Sequence, residues 1–226
     1  MKARRIVSFI ILCAVIPCVV VGGALIFKNG AYAWVSLCVA ALACAPVFLR
    51  FERRETDVKR LLIIAAMTAL SVVGRIVFAP IPAFKPVTAF VIICAMYFGP
   101  EAGFLTGALS AVVSDFYFGQ GPWTPFQMFA WGMIGLVAGL FAGALKRSKI
   151  ALAVGGALAG VAFSLLMDVW TVLWADGYFN VARYGAALVS ALPFTAVYAV
   201  SNVVFLLALS TPISRILTRI ITKYGL

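Results

Sequence analysis

Eight long apolar segments dominate the sequence, and short polar stretches separate them. They lie at about residues 6–27, 31–49, 61–79, 86–99, 102–119, 125–145, 150–175 and 186–212. A helix needs about 20 mostly apolar residues to cross the hydrocarbon core of a bilayer, and most of these segments reach that length. None shows the alternation of apolar and polar residues that a membrane β-barrel requires. The pattern predicts an all-α integral membrane protein with about eight transmembrane helices.

Lysines and arginines are distributed unevenly among the connecting loops. Cytoplasmic loops of membrane proteins collect positive charge, so the richer side is predicted to be the inner one. With the N-terminus inside, fourteen of the 18 basic residues lie on that side, and the outer side receives Lys28, Arg75, Lys85 and Arg183. The formal net charge of +11 therefore indicates topology rather than binding of nucleic acid, and both termini are predicted to be cytoplasmic.

The longest charged stretch, RFERRETDVKR at residues 50–60, divides the chain into two parts. We predict a two-helix N-terminal hairpin over 1–50, a charged cytoplasmic linker over 51–60 and a six-helix core over 61–226. Neither span of the hairpin holds a charge, whereas the core holds every charge that lies within a span. The core is therefore predicted to carry the function. The first segment is longer than the apolar part of a signal peptide, which predicts an uncleaved anchor; cleavage near Ala33 is the alternative.

Composition excludes several classes of protein. Hydrophobic residues make up 65% of the chain, and seven acidic residues are too few to cover a soluble surface of this size. The sequence contains no histidine, so serine–histidine and cysteine–histidine catalysis are absent. The five cysteines lie in apolar runs without metal-binding spacing, and the sequence has no phosphate-binding loop. We therefore expect neither an enzyme nor an intrinsic cofactor or metal.

Three charged residues lie inside predicted spans, where charge is costly and usually functional. They are Arg75, Asp115 and Asp168. At 1.5 Å per residue, they lie about 21, 20 and 27 Å from the cytoplasmic starts of their helices. All three are therefore predicted to lie in the outer half of the membrane. They are interpreted as lining an outward-facing pocket, with an ion-paired clamp between helices as the alternative.

The segment FYFGQGPWTPFQMFAW at residues 116–131 follows Asp115 and forms a predicted outer loop. Its glycines and prolines predict a tight turn. Gln127 and Trp131 are four residues apart and share a helix face. Aromatic faces combined with amide groups are suited to a ring-bearing ligand, whereas an interfacial aromatic belt would explain the tryptophans but not the two glutamines. The other outer loops, around Lys85 and Arg183, also carry aromatic and polar residues.

Residues 59–226 resemble the substrate-binding S-component of energy-coupling factor (ECF) vitamin transporters. Three sequence features carry this resemblance: the pair Ala65-x3-Ala69, the run Gly74-Arg75-Ile76 with Ile81-Pro82 and Lys85-Pro86, and GQGPWTP at 119–125 followed by Gln127, Met128 and Trp131-Gly132. The last of these is the most specific, and it is most similar to the subgroup associated with cobalamin uptake. The two N-terminal helices depart from the six-helix pattern of the family.

The resemblance implies a mechanism and a set of partners. An S-component binds a vitamin from outside, joins a membrane T-component and two ATP-binding cassette ATPases, and topples within the membrane of a prokaryotic cell to deliver its ligand. Ala65 and Ala69 would contact the T-component. The vitamin, with cobalamin as the predicted substrate, would be bound by Arg75, Lys85, Asp115, Gln120, Trp123, Gln127, Trp131 and Asp168.

Three other functions compete with this hypothesis. An ion-coupled secondary transporter of a small ring-bearing solute would use Asp115 and Asp168 as proton or sodium sites. A membrane-embedded enzyme would use one of the same carboxylates as a base. A structural scaffold would explain the small residues that recur every four positions, but it leaves the polar outer loops without a role.

Overall fold

The computed structural model describes residues 2–26, 32–49 and 55–225. Its helices are α1 (Lys2–Ile10), α2 (Ile16–Ile26), α3 (Tyr32–Leu49), α4 (Glu55–Val77), α5 (Val87–Phe98), α6 (Pro100–Phe118), α7 (Thr124–Leu140), α8 (Ala142–Arg147), α9 (Lys149–Asp176) and α10 (Val181–Tyr224). A π-helical turn, Ile11–Val15, joins α1 to α2. The protein is 89% helical and its described part has no strand, which confirms the predicted all-α fold class.

Four of the described helices are long and apolar enough to cross a membrane: Ile6–Ile26, Val58–Val77, Lys149–Asp176 and Val181–Tyr224. The remaining predicted segments form shorter or less apolar helices. The predicted sixth segment is interrupted, because α7 ends at Leu140 and the short helix α8 follows. The last segment is longer than predicted, since α10 continues to Tyr224 as a helix of 44 residues. The chain is thus an all-α membrane protein.

The first part of the predicted linker, residues 51–54, lies outside the described part of the chain. Helix α4 begins at Glu55, so the second half of that linker is helical. The N-terminal helices pack against the rest of the bundle, with α3 against α6 and α7, and α2 against α7 and α9. Helices α2 and α3 therefore lie against the six-helix region rather than apart from it.

One face of α4 explains why Arg75 points into the bundle. Ile64, Met67, Thr68 and Ser71 are buried, and they follow one another at helical spacing. Arg75 lies one turn beyond Ser71 on the same row. The opposite face carries Leu62, Leu70 and other exposed apolar residues. The amphipathic pattern of α4 thus directs Arg75 toward α6, against which α4 packs.

Helices α6 and α7 form the closest contact of the bundle core. A Cβ added at Gly103 would lie 2.5 Å from the carbonyl oxygen of Gly135, and a Cβ at Gly107 would lie 2.3 Å from that of Trp131. Only glycine leaves room for two backbones at this separation. Asp115 lies two turns beyond Gly107 on the same row of α6, so this contact brings its carboxylate to the start of α7.

Candidate functional site

An ion pair joins α4 to α6 at the end of the bundle predicted to face outside. Arg75 Nη1 lies 2.8 Å from Asp115 Oδ1, with 11% of the arginine side chain exposed and none of the aspartate. Nη1 also donates to Ser114 Oγ, and Nη2 donates to Gln127 Oε1 at 3.2 Å. Thr124 Oγ1 donates to the second carboxylate oxygen of Asp115 at 2.7 Å. We call Arg75, Ser114, Asp115, Thr124, Gln127 and Trp131 the Arg75 cluster.

Aromatic rings surround the charged part of the cluster. The Arg75 guanidinium carbon lies 5.0 Å from the ring centre of Trp131 and 4.7 Å from that of Phe118. Trp131 stacks on Phe163 of α9, with ring centres 4.9 Å apart and planes at 15°. Phe163 in turn meets Tyr198 of α10 edge to face at 5.2 Å. A continuous aromatic path therefore runs from the ion pair to α9 and α10.

A tight turn between α6 and α7 sets the positions of Thr124 and Gln127. Gly119 ends α6 with φ of 98°, a conformation that favours glycine, and Thr124 is the first residue of α7. Thr124 Oγ1 also accepts a hydrogen bond from the backbone N–H of Gly121 at 3.2 Å. Gln127 and Trp131 lie one and two turns further along the same face of α7. The turn therefore places two polar groups and one ring beside Asp115.

Lys85 lies near the cluster but is held by its own loop. Its ammonium donates to the carbonyl oxygens of Phe78 and Ala79, the latter at 3.0 Å, and lies 5.8 Å from the centre of the Phe118 ring. Phe118 thus faces both Lys85 and Arg75. Desolvation, followed by repulsion from the positive charge of Arg75, lowers the pKa of Lys85 below its ordinary value. The loop is tied to α10, since Ser201 Oγ donates to the Lys85 carbonyl oxygen at 3.2 Å.

Asp168 lies on α9 rather than in the Arg75 cluster. Its Oδ2 and the indole Nε1 of Trp170 are both buried without a hydrogen-bond partner among the described residues. Tyr198 is close enough to experience the charges of both Asp168 and Arg75. Buried polar atoms without partners are uncommon, and they are expected to meet water or a ligand.

Two other predicted site residues lie outside the Arg75 cluster. Gln120 lies just beyond α6, and its Nε2 donates to the carbonyl oxygen of Val112 at 2.8 Å, near the end of that helix. Trp123 meets Trp170 edge to face, with ring centres 6.1 Å apart. The structure therefore brings together Arg75, Asp115, Gln127 and Trp131, places Lys85 beside them, and separates Gln120, Trp123 and Asp168 from them.

The sequence interpretation missed several residues that contact this cluster. Ser114 and Thr124 bind the ion pair directly, and Phe118 lies over Arg75. The sequence did contain a signal for Ser114 and Thr124, because both are polar and lie next to residues already predicted to form the site. For Phe163 and Tyr198 there was none, since an aromatic residue inside an apolar helix is indistinguishable from core.

The predicted partner surface lies on the opposite face of α4. Ala65 and Ala69 are both exposed, one turn apart, beside the exposed side chains of Leu62 and Leu70. A row of small residues between larger ones lets another helix approach closely. This face is separate from the row that carries Arg75, so binding of a partner and binding of a ligand would use different sides of one helix.

Comparison with known proteins identifies the family. A UPF0397 protein of Vibrio atlanticus (strain LGP32) is 28% identical over 141 residues, covering 54% of this chain and 76% of its own length. One from Aliivibrio salmonicida (strain LFI1238) is 29% identical over 141 residues, covering 54% and 75%. No solved structure matches. The sequence model of the ECF-type riboflavin transporter S component matches residues 55–219, from the start of α4 to the last turns of α10. The chain belongs to this family of S components.

Proposed function

We propose that this protein captures a ring-bearing vitamin at the outer side of a prokaryotic cell membrane, and that it delivers the vitamin inward together with a T-component and two ATPases. The observation that carries the proposal is the Arg75 cluster, in which the guanidinium of a buried ion pair lies over the ring of Trp131 and over that of the neighbouring Phe118. Stacking faces with a few fixed polar groups are typical of sites for planar ligands. Both termini are proposed to be cytoplasmic.

The hydrogen-bonding capacity of the cluster supports ligand binding. Within the described part of the chain, the contacts of Arg75 use three of its five N–H groups. Asp115 and Gln127 fix the guanidinium, so the remaining donors have a set direction. On α9, Asp168 Oδ2 offers an acceptor and Trp170 Nε1 a donor. A ligand lying along the path from Trp131 to Tyr198 would find donors at one end and a carboxylate at the other.

Two substrates are candidates, each with its own support. Riboflavin is named in the description of the family whose model matches. Cobalamin is the prediction from GQGPWTP at 119–125 and the residues that follow it. Both offer a flat ring system with polar edges, so the aromatic faces of the cluster suit either one.

Purified protein in detergent is expected to bind one of these vitamins one to one, without ATP or partner proteins. Isothermal titration with riboflavin, cobalamin, thiamine and biotin would measure this, and the visible spectrum of the purified protein would reveal a co-purified flavin or corrinoid. Tight binding of riboflavin would reject cobalamin, and the reverse also holds. Folded protein that binds none of the four would contradict the proposal and favour the ion-coupled transporter, whose uptake an ionophore would abolish.

The two glutamines provide a matched test of the site. Gln127→Ala is expected to weaken vitamin binding about tenfold, because it removes an amide that contacts Arg75; one hydrogen bond to a charged group corresponds to about that factor. Gln120→Ala removes the same side chain from the turn after α6, where its amide bonds to the carbonyl of Val112 and not to Arg75. It is expected to change the affinity less than threefold. Equal effects of the two substitutions would contradict placement of the ligand at the Arg75 cluster.

Docking of the T-component is expected to depend on the small residues of α4. Ala65→Leu combined with Ala69→Leu adds bulk to an exposed face, so folding and vitamin binding should persist while co-purification of a tagged, co-expressed T-component falls at least tenfold. Ala186→Leu makes the same change at an exposed alanine of α10 and should leave co-purification intact. Full retention of the T-component by the double variant would reject this surface.

A further inference from the structure

A basic cavity lies at the end of the molecule opposite the Arg75 cluster. Its volume is about 630 Å³, and it is an open cavity bordered by the end of α5, the end of α8, the start of α9 and the last turns of α10. Five cations line it, and none of the described residues that line it is acidic: the cations are Lys146, Arg147, Lys149, Arg215 and Arg219. We call this space the basic cavity.

Two of these cations, Lys149 and Lys146, contact neutral groups rather than carboxylates. Lys149 Nζ donates to Ser210 Oγ at 2.8 Å and to Thr211 Oγ1 at 2.9 Å. Lys146 Nζ lies 4.4 Å from the centre of the Tyr97 ring. These contacts orient the ammonium groups without cancelling their charge. The hydroxyls of Ser210 and Thr211 add hydrogen-bonding groups for an oxyanion.

An apolar groove adjoins the basic cavity. It has a volume of about 600 Å³, runs along α7, α8 and α9, and is lined by apolar side chains and glycines alone. Leu145 and Leu152 line both spaces, so the groove borders the basic cavity. The groove extends from the basic end toward Leu158 and Leu166, along helices that cross the membrane.

We propose that the basic cavity and the groove together bind one anionic phospholipid, with the phosphate among the cations and an acyl chain in the groove. Basic pockets between transmembrane helices are suited to anionic headgroups, and each nearby cation strengthens binding. A free phosphate would use only the basic cavity. The adjoining groove is the observation that favours a lipid, because a chain is needed to fill it.

Native mass spectrometry of the full chain would test this. Dioleoyl phosphatidylglycerol is expected to bind at least tenfold more tightly than dioleoyl phosphatidylcholine. Arg219→Gln should weaken binding of phosphatidylglycerol about fivefold, and Arg215→Gln with Arg219→Gln about 25-fold. Lys223→Gln removes the next cation of the same exposed row, which does not line the cavity, and should change binding less than twofold. Equal effects of Arg219→Gln and Lys223→Gln would overturn the proposal.

A second variant separates a lipid from a free anion. Ala144→Phe places a ring at the exposed edge of the groove without altering any cation, and it should weaken phosphatidylglycerol binding at least fivefold. Displacement of phosphatidylglycerol by inorganic phosphate at comparable concentration, together with no effect of Ala144→Phe, would mean that the site takes a free anion. If the double arginine variant loses its ATPase partners but binds phosphatidylglycerol normally, the cavity is a protein-docking surface and the lipid proposal is wrong.

Discussion

Arg75→Gln is expected to lower the free energy of unfolding by about 3–5 kcal/mol, because it leaves the fully buried carboxylate of Asp115 without its cation. Thr124 Oγ1 would still donate to one carboxylate oxygen, but one hydroxyl cannot replace a guanidinium. Denaturant or thermal unfolding in detergent micelles would measure the loss. The substitution also removes the contact between α4 and Gln127 of α7, so these helices should separate early in unfolding.

A more exposed ion pair provides the control. Arg183 Nε lies 2.7 Å from Asp176 Oδ1, but 52% of the arginine side chain is exposed. Arg183→Gln should therefore cost less than about 1 kcal/mol. Combining Arg75→Gln with Asp115→Asn should recover more than half of the stability lost by the single substitution, because no charge stays buried. A double variant less stable than Arg75→Gln alone would show that the ion pair is not the source of the effect.

The hydrophobic pattern of the sequence was sufficient to predict most of the helices and a similar depth for two of the buried charges. Arg75 and Asp115 were both expected in the outer half of the membrane, and the structure brings their side chains within 2.8 Å of each other. An ion pair of this kind could be expected from the sequence. An isolated charge is costly in a membrane, and a cation and a carboxylate at equal depth lower that cost by pairing. The position of Asp168 relative to this ion pair could not be predicted from the sequence. It depends on how α9 packs against α7 and α10, and helical periodicity gives no information on that packing.

The two glutamines show where sequence reasoning stops. Gln120 and Gln127 occur in one short segment with the same chemistry, and both were expected at the site. The chain reverses at Gly119, so Gln120 points back to the carbonyl of Val112, while Gln127 reaches Arg75 from the second turn of α7. That difference comes from the backbone conformation of Gly119 and from the start of α7 at Thr124. Neither can be predicted from the residue types alone.

The extent of α10 was underestimated for a related reason. The last apolar segment was predicted to end at residue 212, but the helix continues to Tyr224. Ile213, Leu217 and Ile221 continue an apolar row that packs on the core, while Arg215, Arg219 and Lys223 form an exposed row. This end is amphipathic rather than uniformly apolar, so a search for membrane spans stops before it.

The contact between α6 and α7 should be the most sensitive apolar feature of the protein. Gly107→Ala is expected to lower the free energy of unfolding by about 3 kcal/mol, because its new Cβ would lie 2.3 Å from the carbonyl oxygen of Trp131 and backbone atoms must move to admit it. Because Trp131 belongs to the Arg75 cluster, the same movement should weaken vitamin binding at least tenfold in the protein that remains folded. Thermal unfolding and titration calorimetry would measure the two effects.

Gly143→Ala is the matched substitution, since a Cβ at Gly143 has no atom within 4 Å. In α8 it should leave vitamin binding unchanged and raise stability by at most about 1 kcal/mol, through the better helix propensity of alanine. If Gly107→Ala and Gly143→Ala behaved alike, α6 and α7 would not be in backbone contact. Asp115 would then owe its place beside Thr124 and Gln127 to the ion pair alone. If they differ as expected, Gly103 and Gly107 determine the geometry of the site without contacting a ligand. They set the separation of α6 and α7, and with it the positions at which Asp115 and Trp131 meet Arg75.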